Sequence, residues 1–331
     1  MTNEFNYVEK PFMLLLEKTG WNIILSDDDK NKHYPKLTLR NSFDEILIED
    51  ILKLSLKKLN DWLDDEQIER AFQEIKRIGL RKGLIQANYD FFKLLLESPV
   101  YNNKQNLTEK SKSIKIIDFE NPKINHFLAI NQFRVNTPGT LRNYIIPDIV
   151  LFINGIPIGV IECKYPTQID VEAMEESITQ LKRYSNTRED VVEKEGNEKL
   201  FHYNQIMIST TFDEARMGTI TSEYDHYLEW KDIYPLDLDL NLSSQEKIIQ
   251  GSLKKEHLLD LIRNFILFQE TEKGRIKIVC RYHQFRVVNK IIDRLLNIRN
   301  PEERSGVVWH TQGSGKSISM VFLIRKIRKI D

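Results

Sequence analysis

Cysteine is scarce: Cys163 and Cys280 are the two thiols among 331 residues, both in apolar, strand-like stretches. Neither has metal-ligand spacing or an evident partner, which argues against a zinc module and a disulfide framework. Long apolar runs are missing too. Nothing approaches the roughly eighteen consecutive apolar residues that a membrane span needs. The start, MTNEFNYVEKPF, lacks the charged head and apolar centre of a secretory signal. A cytoplasmic chain without membrane contact is expected. Charge of one sign is not in excess either, since 48 Lys and Arg face 49 Asp and Glu for a formal net charge of −1. That argues against indiscriminate coating of nucleic acid, so any DNA contact must come from a local basic face. Internal repeats and low-complexity tracts are also absent.

What is present describes an ordinary globular chain, with 41% hydrophobic and 29% charged residues and room for about two domains. Apolar residues recur at helical spacing over 9–18, 42–60 and 65–79. Segments 114–120, 131–135, 144–153, 156–164 and 204–209 read as strands. Strands mixed with helices predict an α/β fold, a mixed sheet flanked by helices. The pattern loosens after Thr210, and apolar helices are expected at 258–268 and 280–297. The implied division is a first domain over 1–231, a linker region over 232–250, and a further domain beginning at 251–331.

Residues 143–165 read NYIIPDIVLFINGIPIGVIECKY, two apolar β-rich runs around Asn154-Gly155, a strong hairpin signal. They carry Asp148, Glu162 and Lys164. A strict two-residue turn would make paired residue numbers sum to 309 and send Glu162 to the face opposite Asp148. A three-residue loop with a glycine bulge at Gly155 gives an even sum, 308 or 310, and places all three on one face. Together, two carboxylates and a lysine are the minimal parts for metal-assisted phosphodiester cleavage. Asp148 and Glu162 would hold one or two Mg²⁺ ions, which activate water and neutralise phosphate charge, while Lys164 orients that water or stabilises the transition state. Taken as residue types alone, the same groups also occur on ordinary solvated sheet faces.

Gln180 and Tyr184 lie four apart, on one face of an amphipathic helix expected over 171–186 and capped by Asp170. Lys182 and Arg183 on that helix are candidate DNA contacts. The cluster Lys76-Arg77 with Arg81-Lys82 is another candidate basic face, though solvated helix decoration is the reading its residue types favour.

A second motif lies further on. The run Gly306-Val307-Val308-Trp309-His310 reads as a buried strand, followed by Thr311-Gln312-Gly313-Ser314-Gly315-Lys316-Ser317 and an apolar helix over 318–330. Strand, glycine loop, lysine, hydroxyl and helix come in the order of a phosphate cradle. Thr311, Gly313, Ser314 and Gly315 would supply backbone donors at a positive helix end, Lys316 a point charge and Ser317 an oxygen for Mg²⁺. His310 stands where the phosphate-loop pattern has its first glycine.

From Asn131 to Tyr184 the chain resembles the nuclease domain of the restriction (R) subunit of type I restriction-modification enzymes, a PD…(D/E)xK nuclease. The resemblance rests on NQFRV at 131–135, Pro147-Asp148-Ile149-Val150, Glu162-Cys163-Lys164, and Gln180 with Tyr184. It implies a restriction-endonuclease-like sheet cutting double-stranded DNA with Mg²⁺. Asp148, Glu162 and Lys164 would be the catalytic core, with Gln180 and Tyr184 an accessory motif and the Cys163 carbonyl a further metal ligand. HTQGSGKS resembles motif I of the same enzymes' superfamily 2 motors, and Arg281-Tyr282-His283-Gln284 their adenine-recognising segment, with Gln284 the base contact. This implies the beginning of a RecA-like P-loop domain that binds ATP. Implied partners are the modification (methyltransferase) and specificity subunits, the latter choosing the DNA site. Because 15 residues follow Lys316, no second acidic motif, arginine finger or second motor lobe is expected. The reading is therefore a truncated chain with inefficient ATP hydrolysis and little cleavage alone. The competing expectations are a non-catalytic DNA- or partner-docking module and a weak ATP-binding fragment.

Overall fold

The structure, a computed structural model, describes residues 3–27, 30–80, 82–97, 100–101, 112–137, 139–166, 173–188, 191, 193–237, 241–298 and 300–330. Its centre is a seven-stranded sheet whose spatial order follows the chain: β1 (Asn22–Ile24), β2 (Phe127–Asn131), β3 (Ile149–Ile153), β4 (Ile156–Cys163), β5 (Ile206–Thr210), β6 (Ala215–Gly218) and β7 (Leu228–Glu229). The pairs β1–β2 and β4–β5 are parallel and the rest antiparallel. Parallel neighbours need crossovers. The first contains helices α2 (Glu49–Leu59), α3 (Asp65–Lys76) and α4 (Leu84–Glu97), and the second contains α5 (Ala173–Tyr184). Every residue of β3 and β4 is buried, which is why IVLFI and IPIGVIEC run apolar rather than alternating. The mixed sheet flanked by helices is the expected fold.

Ahead of β1, a π-helical turn (Phe5–Glu9) leads into α1 (Lys10–Lys18), which packs on β1 and β2. After the sheet, a short helix (Ser244–Ile248) continues as a π-helix (Ile249–Leu253) and then α6 (Lys255–Asn264). Beyond it come the hairpin β8 (Ile266–Thr271) and β9 (Gly274–Val279), then α7 (Tyr282–Asn297) and α8 (Lys316–Ile327). Residues Ile233, Ile248 and Ile249, within 232–250, are buried, and one apolar cluster extends from Val8 to Phe322. Among the described residues, no helix is long and apolar enough to cross a membrane.

Several expected elements differ. The helix read over 42–60 begins at Glu49, because Ile48 donates its N–H to Gly155 O (2.9 Å) and the chain before it turns through Ser42 and Asp44. Segment 114–120 is no strand. Asp118 Oδ1 accepts from the N–H groups of Glu120 and Asn121, both 2.9 Å, and this Asx turn diverts the backbone. The strand read over 131–135 ends at Asn131, since Gln132 adopts a left-handed φ of 51°. The run over 144–153 breaks at Ile146–Asp148 into a short pair with Val135–Asn136 and then β3. The helix read over 258–268 stops at Asn264 and Ile266 opens β8. Residues 306–310 form no strand, and Val307 and Trp309 are 91% and 90% exposed. A doubly buried strand needs neighbours on both edges, and no described strand lies beside this segment. Asp170 and the start of the expected helix at 171, like Arg81, lie outside the described residues.

Candidate active site and phosphate loop

The hairpin that carries the acids reaches the right register by an unexpected route. The turn is the strict two-residue kind, with Asn154 at φ 53° and Gly155 at φ 78° and Ile153 opposite Ile156. Positive φ at both positions is what a type I′ turn requires. Phe152 faces Pro157, but Leu151 faces Gly159, so Ile158 is an extra residue and the sum of paired numbers changes from 309 to 310. The β-bulge lies in the strand rather than the loop, which corrects the three-residue loop expected above. Pro157 cannot donate to the ladder, and a Cβ on Gly159 would come within 3.2 Å of Leu151. Proline and glycine around one residue are the local signature of such a bulge.

Beyond the bulge Ile149 pairs with Ile161, so Asp148 and Glu162 are the next opposed positions. Asp148 Oδ2 accepts the Cys163 N–H at 2.7 Å. Lys164, one residue past β4, places Nζ 3.6 Å from Glu162 Oε1 and 3.6 Å from Glu4 Oε2. Helix α5 closes this face. Gln180 Nε2 donates to Glu162 Oε1 and to Tyr184 Oη (2.6 Å), and Tyr184 Oη donates to Ile146 O (3.1 Å). Ser177 Oγ donates to Glu162 O at 3.2 Å. All five expected residues are therefore in one place, with Glu162 fully buried and Asp148 7% exposed. On the same helix, Lys182 pairs with Glu223, and Arg183 lies over the Tyr184 ring at 5.4 Å.

The electrostatics follow from crowding carboxylates away from water. Burial pushes Asp148 up to about 7, with repulsion from Glu4 adding to it against the Cys163 hydrogen bond. Burial and then Asp148 push Glu162 well above the carboxylate range. Burial opposes the charge of Lys164, yet Glu162, Glu4 and Asp148 hold its ammonium above the usual value. Tyr184 is raised by burial first and the two acids next.

Two acids of this cluster were not foreseen. Glu4 and Glu9 come from the N-terminal turn. Glu9, pushed up to about 8 by burial and by Asp148, accepts from Asn131 Nδ2 (2.8 Å) and Gln132 Nε2 (2.9 Å). Nothing local in the sequence marks them, since tertiary packing alone brings residue 9 to the end of β2. Among the described residues, no group of three or more His, Cys, Asp or Glu side chains is gathered into a metal cage. What the site offers is two carboxylates, and Glu162 Oε2 is buried with no hydrogen-bond partner. That donor set suits Mg²⁺, which binds through one or two carboxylates and keeps several waters.

The second motif forms a loop capping α8. Gly313 and Gly315 have φ of 78° and 80°, and a Cβ on Gly315 would meet Gln284 Nε2 at 2.6 Å. Lys316 Nζ donates to His310 O (3.0 Å), Ser314 N–H to Thr311 O (3.3 Å), and Gln284 Nε2 to Gly315 O (3.1 Å). His283 Nε2 lies 3.0 Å from Ser314 O. Ser314 Oγ is buried without a partner, while Lys316 and Ser317 are exposed. An unpaired hydroxyl beside an accessible ammonium at a helix N-terminus fits a phosphate group.

Residues 1–226 match the family described as Type I restriction enzyme R protein N terminus. The chain belongs to that family. Residues 283–331 match the SWI2/SNF2 ATPase family, consistent with α7, the glycine loop and α8 beginning a helicase domain. Among relatives, the Type I restriction enzyme HindI endonuclease subunit of Haemophilus influenzae is 30% identical over 334 aligned residues, covering 99% of this chain and 30% of that protein. Two putative endonuclease subunits of Methanocaldococcus jannaschii are similar. MjaIXP is 29% identical, with 89% of this chain and 29% of the relative covered, and MjaVIIIP is 31% identical, with 96% and 28% covered. This type I R-family chain thus spans less than a third of the length of these relatives.

Proposed function

We propose that this chain is the endonuclease portion of a type I restriction subunit, hydrolysing phosphodiester bonds in double-stranded DNA. The observation carrying this reading is the convergence of Asp148, Glu162 and Lys164 on one buried face, with an unpartnered Glu162 oxygen in a chain of the R-protein family. Asp148 and Glu162 would hold Mg²⁺, with the Cys163 carbonyl as a further oxygen. The ion would lower the pKa of a bound water and offset phosphate charge. Gln180 fixes Glu162 by donating to Oε1, so that carboxylate presents Oε2. The Cys163 N–H holds one oxygen of Asp148. Lys164 keeps its proton beside three acids and offers a cation to the attacked phosphate. Tyr184 anchors Gln180 to the segment leading into Asp148.

The same proposal assigns residues 251–331 to the start of an ATP-binding translocase domain. Thr311, Gly313, Ser314, Gly315, Lys316 and Ser317 would hold the ATP phosphates and Gln284 the base. Modification and specificity subunits would be the partners, in a cytoplasmic complex. The experiment is nicking of supercoiled plasmid in Mg²⁺ or Mn²⁺, comparing the chain with Glu162→Ala. Loss of a metal-dependent activity in the variant is expected, and undiminished cutting would refute the assigned site.

A further inference from the structure

Gln132 combines a strained backbone with a bridging side chain. Its φ of 51° is left-handed, a conformation that strains a residue with a Cβ. Its neighbours explain what the conformation achieves. The Gln132 N–H donates to Asp148 O at 2.7 Å and the Phe133 N–H to Pro147 O at 3.1 Å, which pins the peptide carrying Asp148 just ahead of β3. The side-chain amide then reaches two acids. Nε2 donates to Glu9 Oε2 at 2.9 Å, and the same amide holds the Asp148 carboxyl below the value that burial alone would set. Glu9 is itself fixed, because its other oxygen accepts from Asn131 Nδ2. Asn131 is held in turn by the Ser26 N–H (2.8 Å) and Asn31 Nδ2 (2.8 Å) on its Oδ1.

A primary amide is suited to this position. It carries N–H donors and no charge, so it can hold Glu9 beside Asp148 without adding a cation that would compete for the site. Without it, Glu9 Oε2 would lose its donor and two like-charged acids would stand with no neutral group between them. We infer that Gln132 is a positioning residue of the metal site, tying the Asp148 main chain to the Glu9 carboxylate and through it to the N-terminal helix. The inference rests on the nuclease reading, and it makes the turn at 5–9 a structural support of cation binding.

The test is Mn²⁺ titration calorimetry on the full chain, with circular dichroism to verify folding. Gln132→Gly is the informative substitution, since glycine adopts the left-handed backbone without strain and removes only the bridge. It should fold as the wild type does yet bind Mn²⁺ roughly 10–100-fold more weakly, the usual effect of removing a group that orients a metal ligand. Gln132→Asn, which also tolerates this backbone but is one methylene shorter, should weaken binding similarly and covers the case in which the glycine variant fails to fold. Wild-type affinity in a folded Gln132 variant, alongside lost binding in Glu162→Ala, would overturn the positioning role and leave the nuclease reading standing. Unaltered binding in Glu162→Ala would overturn the reading itself, and absence of Mn²⁺ uptake by the wild type would overturn both.

Discussion

Replacing Asp148 by Asn should make the metal-free chain more stable above neutral pH while abolishing the metal binding proposed for it. Burial first, and Glu4 next, raise this carboxyl from 3.8 to about 7. An acid raised in the folded state contributes stability that is complete below its unfolded value and is lost as pH rises through its folded value. At about 1.4 kcal/mol per unit, a shift of this size caps the cost of holding the charged form at about 4 kcal/mol. Relaxation and water entry in a real protein reduce that cap, so a gain of about 2 kcal/mol for Asp148→Asn at pH 8 is the working expectation. The amide oxygen introduced by the substitution can still accept from Cys163 N–H, so the hydrogen bond to β4 survives.

The assay is urea unfolding in EDTA at pH 5 and pH 8. At pH 5, between the unfolded value of 3.8 and the folded value of about 7, the loss has begun but is incomplete, so the variant should lead by well under half of its pH 8 margin. At pH 8 the variant should lead. Part of the pH slope persists in it, because Glu9 and Glu162 are raised too. Mn²⁺ at a hundred times its Kd should then stabilise the wild type by about 2.7 kcal/mol and the variant hardly at all. An Asp148→Asn chain no more stable than the wild type at pH 8, or a gap of the same size at pH 5, would refute the idea that these acids are crowded at the expense of folding.

Two other substitutions probe the frame and the second motif. Gly155→Ala must adopt φ 78° and place a Cβ 2.5 Å from Ile48 O and 2.9 Å from Leu52 N, both backbone atoms, so a loss of about 3 kcal/mol in urea is expected; a loss below about 1 kcal/mol would mean the turn yields freely. Lys316→Ala removes an exposed ammonium that donates to the backbone oxygen of His310, so stability should change by less than about 0.5 kcal/mol while binding of a fluorescent ATP analogue falls at least about tenfold, and unchanged affinity would defeat the phosphate assignment.

The parts of this protein that could be read in advance are those specified by neighbours in the chain. Asn154-Gly155 announces its turn because few residue pairs take two positive φ values. The spacing of Gln180 and Tyr184 puts both on one side of α5 without reference to the rest of the fold. The bulge at Ile158 was also written locally, in Pro157 and Gly159, but the glycine at the turn offered a competing explanation for the same even register. What could not be read depends on distant partners. Val307 to Trp309 have the composition of a buried strand, yet composition cannot supply the neighbouring strands that would bury them. Glu9 sits between Val8 and Lys10 with no motif around it, and only the packing of the N-terminal turn against the end of β2 makes it part of the site.

That packing explains why the acids lie where they do. Asp148 and Glu162 sit at the ends of strands that are buried on both faces, so neither can turn to solvent to shed its charge problem. Gln180, Gln132, Asn131 and the Cys163 N–H give neutral donors to the cluster, and each orients a carboxylate without neutralising it. Lys164 brings one ammonium to the cluster, and a single ammonium cannot balance four neighbouring acids. A divalent ion would restore the balance where the surrounding hydrogen bonds already aim the oxygens, and the excess of acid over base would then be the physical source of the proposed cation affinity rather than a flaw in the core.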